Sequence, residues 1–307
     1  MNNKDLNEKL LTGLNEVFSD IFNAVCFNGQ RVIKEEELSD TPSISAYIES
    51  DNTRQLERDV SKYYHNSNLN IALLNIENQT KDDKDMPFRM IGYEGAQYNY
   101  QLISGNSQRY GVASLILNFN PNKRWSSPLT LKECINAYPE KFDEYINDYK
   151  IHVIDIAFLE KEDIDKFSSD FKVIADFFYQ RRKLGEYVYR SKDILKYPAQ
   201  TMRTLDAING TNIFETAYNE CKEVHNMGGV TMENIFAIER DKGRVEGIEE
   251  GLVKGKNEGI FLTLTKNVKA LISNNLTFNQ SCNMLNIDEE TREKLLDTGE
   301  FSHHSKE

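Results

Sequence analysis

The 307-residue chain predicts an α/β fold: a mixed β-sheet flanked by helices, with a helical C-terminal extension. Three observations lead there. Apolar runs of strand length recur at residues 70–80, 112–119 and 151–159, bounded by turn residues or charges. Segments with apolar residues at helical spacing precede, separate and follow them, at 5–27, 86–102 and 160–184. Such an alternation of helices and strands places helices over the faces of a mixed sheet. Beyond it, glycine returns every four residues from Gly243 to Gly259 among helix formers, which marks the extension.

The first helix repeats Leu10, Leu14, Val17, Ile21 and Val25 at its core-facing spacing. Asn28-Gly29 is a turn, 30–33 a short extended piece, and Glu35-Glu36-Glu37 a solvated edge. Residues 43–49 are read as extended, leading into a strand over 56–64. His65-Asn66-Ser67-Asn68 then connects it to the apolar strand 70–80, and two such neighbours most simply pair antiparallel. After a charged start at 81–85, Met86, Met90, Tyr93, Gln97 and Tyr100 line one face of a helix. The strand 112–119 ends in the turn Asn120-Pro121-Asn122-Lys123. Trp125, beside Arg124, either stacks on a base or anchors packing, and packing is the expectation. Residues 129–138 fit a short helix, with Thr130 and Glu133 at capping-box positions. The strand 151–159 leads into the helix 160–184, whose apolar face is Ile164, Phe167, Phe171, Ile174, Phe177 and Phe178. Residues 194–227 read as helical, with a break at 225–229. The chain therefore divides at 1–184, 185–238, 239–262 and 263–307.

Hydrophobic residues make up 39% and aromatics 10% of the chain, enough for a core and unlike a disordered sequence. No apolar run approaches the roughly 20 residues a membrane helix needs, and the N-terminus has no signal-peptide pattern, so the expected location is the cytoplasm. Cys26, Cys134, Cys221 and Cys282 are scattered, so reduced and mostly buried thiols are expected. The net charge of −12 argues against a high-affinity DNA coat, which needs clustered Lys and Arg. It leaves room for transient contact through a divalent ion and a local basic rim of Arg54, Arg58, Lys62, Lys81, Lys84 and Arg89.

Asp59 on the first strand of the pair and Glu77 at the end of the second bring two carboxylates close in the fold. Gln79 lies two residues past Glu77 and so points to the same sheet face. Such an oxygen-rich set suits Mg²⁺ or Mn²⁺, which can polarise a phosphoryl oxygen and activate water. Solvated acids at strand ends give the same spacing, and spacing alone leaves both readings open.

Asp59, seventeen residues, then Glu77-Asn78-Gln79, with Ile76 before it at the end of an apolar strand, resembles the signature of the PD-(D/E)XK nuclease superfamily. More narrowly, the ordered set Ser19-Asp20-Ile21-Phe22-Asn23, Arg58-Asp59-Val60, Ile76–Thr80 and Met86–Tyr93, with the glycine repeat near 243–259, is similar to the recombination-promoting nuclease (Rpn) family. The likeness covers residues 5–262. It implies a restriction-endonuclease-like fold and a metal-dependent DNA endonuclease acting in recombination or transposition, with Mg²⁺ (or Mn²⁺ or Ca²⁺) as cofactor. By the same resemblance Asp59 and Glu77 are the metal ligands, with the backbone carbonyl of Asn78 as a further one. Gln79 stands where the superfamily usually has Lys, and can position water without the ammonium charge. Arg58 replaces the usual Pro before Asp59. Asp20 is either an accessory acid or a solvated helix residue. The alternative function is a nuclease-fold protein of weak or no activity, serving as a DNA-binding or oligomerising module.

Arg89 either faces phosphate or pairs with a nearby acid, and the ion pair is the expectation. Arg58, Lys62 and Arg89 are the DNA-contact candidates around the site. Residues 181–196 hold six basic and two acidic side chains, and Arg181, Arg182 and Lys183 are the DNA-contact candidates there, set against plain helix capping. Each repeat glycine costs a helix roughly 1 kcal/mol relative to Ala. The repeat is read either as a self-association helix over 239–262, through close small-residue packing, or as a linker. Residues 276–291 suggest two short helices, more a packing module than a DNA reader given their few cations. Residues 299–307 read as a disordered end.

Overall fold

The computed structural model describes residues 9–41, 44–49, 52–57, 59–66, 69–105, 108–188, 191–224 and 229–301. Arg58, Arg190, the break at 225–228 and His303-His304 fall outside them. The described residues form two compact units, 1–238 and 239–307.

The first unit is built on a five-stranded mixed sheet. In chain order its strands are β1 (Leu38–Asp40), β4 (Val60–Asn66), β5 (Leu69–Gln79), β6 (Gly111–Asn118) and β7 (Val153–Asp155), and they lie side by side in that order. A separate antiparallel hairpin, β2 (Ile44–Glu49) with β3 (Asn52–Glu57), precedes β4. β4 pairs antiparallel with β1 and β5, whereas β5–β6 and β6–β7 are parallel.

β5 is the centre of the sheet. Leu73 through Glu77 are all buried, as expected of a strand covered on both faces, which reads as an apolar run rather than an alternation. Helix α1 (Asn15–Cys26) and helix α5 (Phe171–Leu184) cover one face. Their Phe18, Ile21, Phe171, Ile174 and Phe178 pack with Val60, Leu74, Ile76, Leu115 and Leu117. Helix α2 (Met86–Ile103) covers the other, through Met86, Met90 and Tyr93 against Ile116 and Ile151, with Trp125 packed beside them. A buried polar row crosses this second face: Ser61 Oγ donates to Asn75 Oδ1 (2.7 Å), Asn75 Nδ2 to Ser114 Oγ (2.9 Å), and Ser114 Oγ to Glu94 Oε1 (2.8 Å).

Several elements are shorter than their sequence patterns. The helix expected over 5–27 breaks after a helical turn at 9–12 and resumes as α1. Gly13 makes the break: its amide donates to the Lys9 carbonyl at 2.8 Å, and a Cβ there would sit 2.8 Å from that oxygen. The expected strand 151–159 is only β7, because Thr130 bridges Lys150 and the Ile151 amide donates to the Leu129 carbonyl. The expected helix 160–184 is α4 (Lys161–Ile164) and α5. Ser168 and Ser169 cannot be helical interior, since their amides donate to Asp20. Helix α3 (Leu131–Cys134) has the Thr130–Glu133 capping box. Helices α6 (Pro198–Asn209) and α7 (Ile213–Val224) are separated at Gly210, whose φ is +70°. Cys221 and Cys282 are buried thiols, but Cys26 is exposed and Cys134 half-buried.

Helix α8 (Met232–Ser273) runs through all five repeat glycines. A Cβ on any of them would meet nothing within 4 Å. In the second unit, α8 residue Val268 packs with Phe278 and Cys282 of α9 (Phe278–Met284), Leu295 of α10 (Glu289–Asp297), Ile287 and Phe301. Phe301 is buried, so the ordered packing runs past the point where a disordered end was expected.

Candidate active site

The site forms where β4 begins and β5 ends. Asp59 is the bend residue just before β4, not within the strand, and Glu77 lies two residues inside the end of β5. The register sets Val60 opposite Ile76, which brings Asp59 alongside Glu77. Alternation along β5 places Asn75, Glu77 and Gln79 on the α2 face.

Backbone amides knit the two acids together. The Asp59 amide donates to Glu77 Oε1 (3.3 Å), and the Asn78 amide donates to Asp59 Oδ2 (2.7 Å). A strand residue sends its N–H and C=O to the same side, so the Asn78 carbonyl lies on the β4 side of β5, as its amide does. Two cations flank the pair. Lys9 Nζ lies 2.8 Å from Asp59 Oδ1, and Arg89 Nη2 lies 4.0 Å from Glu77 Oε2. Arg89 is chiefly committed to Asp83, at 2.8 Å, with Tyr93 Oη at 3.4 Å.

Glu77 is 1% exposed, while the Asp59 side chain keeps 16%. The site thus opens at Asp59 and is floored by Glu77. Burial, and after it the neighbouring Asp59 carboxylate, pushes the Glu77 carboxyl up to about 8. A buried carboxylate beside a second one favours either a proton or an added cation. Asn78 Oδ1 is buried without a hydrogen-bond partner among the described residues, although its Nδ2 donates to Thr12 Oγ1 (3.3 Å). Two carboxylates with amide and carbonyl oxygens suit a Mg²⁺-type ion, which commonly takes one or two protein carboxylates plus water. Among the described residues no cluster of three or more His, Cys, Asp or Glu side chains is arranged to hold a metal. Any ion here therefore relies on the two acids and neutral oxygens.

Other sequence candidates lie elsewhere. Asp20 is not brought to the pair. Its buried carboxylate accepts from the amides and hydroxyls of Ser168 and Ser169, at 2.7–3.0 Å, and so fastens α1 to the start of α5. Lys62 points to the opposite sheet face, where it pairs with Asp40 and lies over the Phe18 ring. With its side chain 3% exposed, it does not rim the site. Arg182 donates to the Leu159 carbonyl and Glu160, Lys183 pairs with Glu160, and Arg181 donates to Asn209. All three end α5, the helix on the face away from Glu77. Arg58 falls outside the described residues.

Sequence reading missed Lys9 and the Asn118–Asp155 pair. Asn118 sits beside Gln79 and Asp155 beside Asn118, and Asn118 Nδ2 donates to Asp155 Oδ1 (2.8 Å). Asp155 ends an apolar strand as Glu77 does, which was its signal. Lys9 carried none, because its partner is fifty residues away.

The sheet order, the flanking helices and the Asp/Glu-x-Gln placement define a restriction-endonuclease-like α/β protein. Residues 43–205, more than half of the chain, match the family described as "Putative transposase, YhgA-like". The chain belongs to that family, which falls within the Rpn-like part of the PD-(D/E)XK superfamily. No curated protein and no solved structure matches it. Family membership points to a nuclease or transposase role.

Proposed function

We propose that this chain is a divalent-metal-dependent DNA endonuclease of the cytoplasm, acting in recombination or transposition, with Mg²⁺ or Mn²⁺ as its ion. The observation that carries it is the buried Glu77 carboxylate set against Asp59 through Asp59's own amide. Asp59, Glu77 and the Asn78 carbonyl would hold the ion. When bound, it supplies Lewis-acid polarisation of a phosphoryl oxygen and lowers the pKa of water. The Asn78 amide fixes the Asp59 carboxylate, so the open side of the site has one defined orientation. Gln79 orients the attacking water through its amide, without contributing charge. Arg89, anchored by Asp83, lends positive potential at Glu77. No helix among the described residues is long and apolar enough to cross a membrane.

Supercoiled plasmid incubated with pure protein tests the proposal. Nicking in Mg²⁺ or Mn²⁺, its loss in EDTA, and a loss of about 100-fold or more in Asp59→Ala are expected. Cleavage that ignores EDTA, or none in any divalent ion, overturns it and favours a non-catalytic DNA-binding or oligomerising module. Self-association through 239–262 is part of the same proposal, supported by open space around the repeat glycines and by the exposed Ile248, Leu252 and Val253.

A further inference from the structure

β5 offers Gln79 where a cation would be expected to meet the charge developing on a scissile phosphate. Gln is neutral at every pH. The Lys9 ammonium arrives instead from the N-terminal helical turn, 2.8 Å from Asp59 Oδ1. One contact ties that turn to β5 and one closes the turn itself. Thr12, three residues on and so on the same helical side, accepts from Asn78 Nδ2 at 3.3 Å, and Gly13 closes the turn against the Lys9 carbonyl. Arg89 is less suited, being committed to Asp83 and half-buried beside Tyr93. The Lys9 side chain keeps 20% exposure, on the open side with Asp59.

We infer that Lys9 is a catalytic residue, supplying the ammonium that β5 lacks. This rests on the nuclease proposal above. The water oxygen bonds to phosphorus and the bond from phosphorus to the leaving sugar oxygen breaks. The proton lost by water returns through solvent to that leaving oxygen. Lys9 stays protonated throughout and donates a charge-assisted hydrogen bond to a non-bridging phosphate oxygen, strongest as negative charge builds there. With an ion held by Asp59 and Glu77, the Lys9 ammonium, now 2.8 Å from Asp59 Oδ1, would turn toward the phosphate.

The test uses the full chain as Lys9→Met and Lys9→Arg beside wild type and Asp59→Ala, each with its thermal midpoint recorded. Plasmid nicking in Mn²⁺ gives kcat and KM, and calorimetric Ca²⁺ titration without DNA gives ion affinity. Lys9→Met should lose about 100-fold in kcat with little change in KM, and Lys9→Arg should recover part of it. Ca²⁺ affinity of Lys9→Met should hold or tighten, since the competing ammonium is gone. Nicking by Lys9→Met at a rate close to wild type, with Asp59→Ala inactive, overturns the inference and leaves the nuclease proposal standing. A fall in Ca²⁺ affinity that accounts for the lost rate also overturns it, making Lys9 only a support for Asp59. A wild type that cleaves in no divalent ion removes the nuclease proposal, and this inference with it.

Discussion

Glu77 is a carboxylate held where water does not reach it. Its pKa stands at about 8 in the folded chain against an ordinary 4.5. Between those values the folded state keeps a proton that the unfolded chain has released. The stability linked to this group is therefore full below about pH 4.5 and is lost as pH rises toward 8. In metal-free buffer Glu77→Gln should raise the thermal midpoint at pH 8, by an amount worth at least about 1.4 kcal/mol, the equivalent of one pKa unit. That gain should close by about pH 5, and a gain independent of pH would mean that Glu77 titrates as a solvated acid. Asp20 is the contrasting acid. Its carboxylate is fully engaged by Ser168 and Ser169, so Asp20→Ala should cost about 2–4 kcal/mol, read by denaturant unfolding. Its Ca²⁺ affinity should stay at the wild-type value, and a clear loss would return Asp20 to the site. Neither environment is written in the local sequence. Glu77 could be placed because its strand is apolar and its spacing to Asp59 is fixed by two paired strands. The surroundings of Asp20 come from residues some 150 positions away.

Elements were legible where local pattern and packing agree. β5 and α2 lie within a residue or two of their predicted bounds, since a long apolar run and a regular helical stripe leave little choice. β2 was read only as an extended lead-in, and Leu56 and Glu57, which end β3, were read into the following strand over 56–64, because β3, Asn-Thr-Arg-Gln-Leu-Glu, has a single apolar residue to mark it as a strand of its own. β7 and the interruption between α4 and α5 follow from distant partners, backbone for β7 and the Asp20 carboxylate for the interruption, which no window of sequence contains. Helix α8 keeps its glycines although each is unfavourable in a helix. With open space at every one, Gly247, Gly251 and Gly255 changed together to Ala should stabilise α8 by up to about 1 kcal/mol each, seen as higher helicity by circular dichroism. If these positions also serve chain–chain contact, the same variant should sediment lighter. Unchanged helicity would mean that the glycines are already held by something their added methyl groups displace.

At the scale of the whole molecule, the net charge is −12, and the candidate DNA-contact cations Arg182, Lys183 and Arg89 are paired with acids of the chain itself. DNA affinity should accordingly be weak, with only a shallow dependence on salt, since each neutralised phosphate adds about 0.9 to the slope of log K against log salt. Fluorescence anisotropy on a short duplex in Ca²⁺ measures it, and a slope steeper than about 5 would mean contact with more than about five phosphates and overturn the expectation. The division at Ile238 sets a second measurement. A chain ending there should sediment as a monomer while the full chain does not, and equal association states would remove residues 239–307 as the associating unit.

The row of hydrogen bonds from Ser61 through Asn75 to Ser114 works like a key cut for one lock position. Sliding β5 by a single step would turn Asn75 into the aliphatic layer and strand its amide, at a cost of about 1–3 kcal/mol for each abandoned partner. The strand that bears Glu77 is thus pinned before any ion arrives, and loading the site should require side chains to turn but no strand to shift.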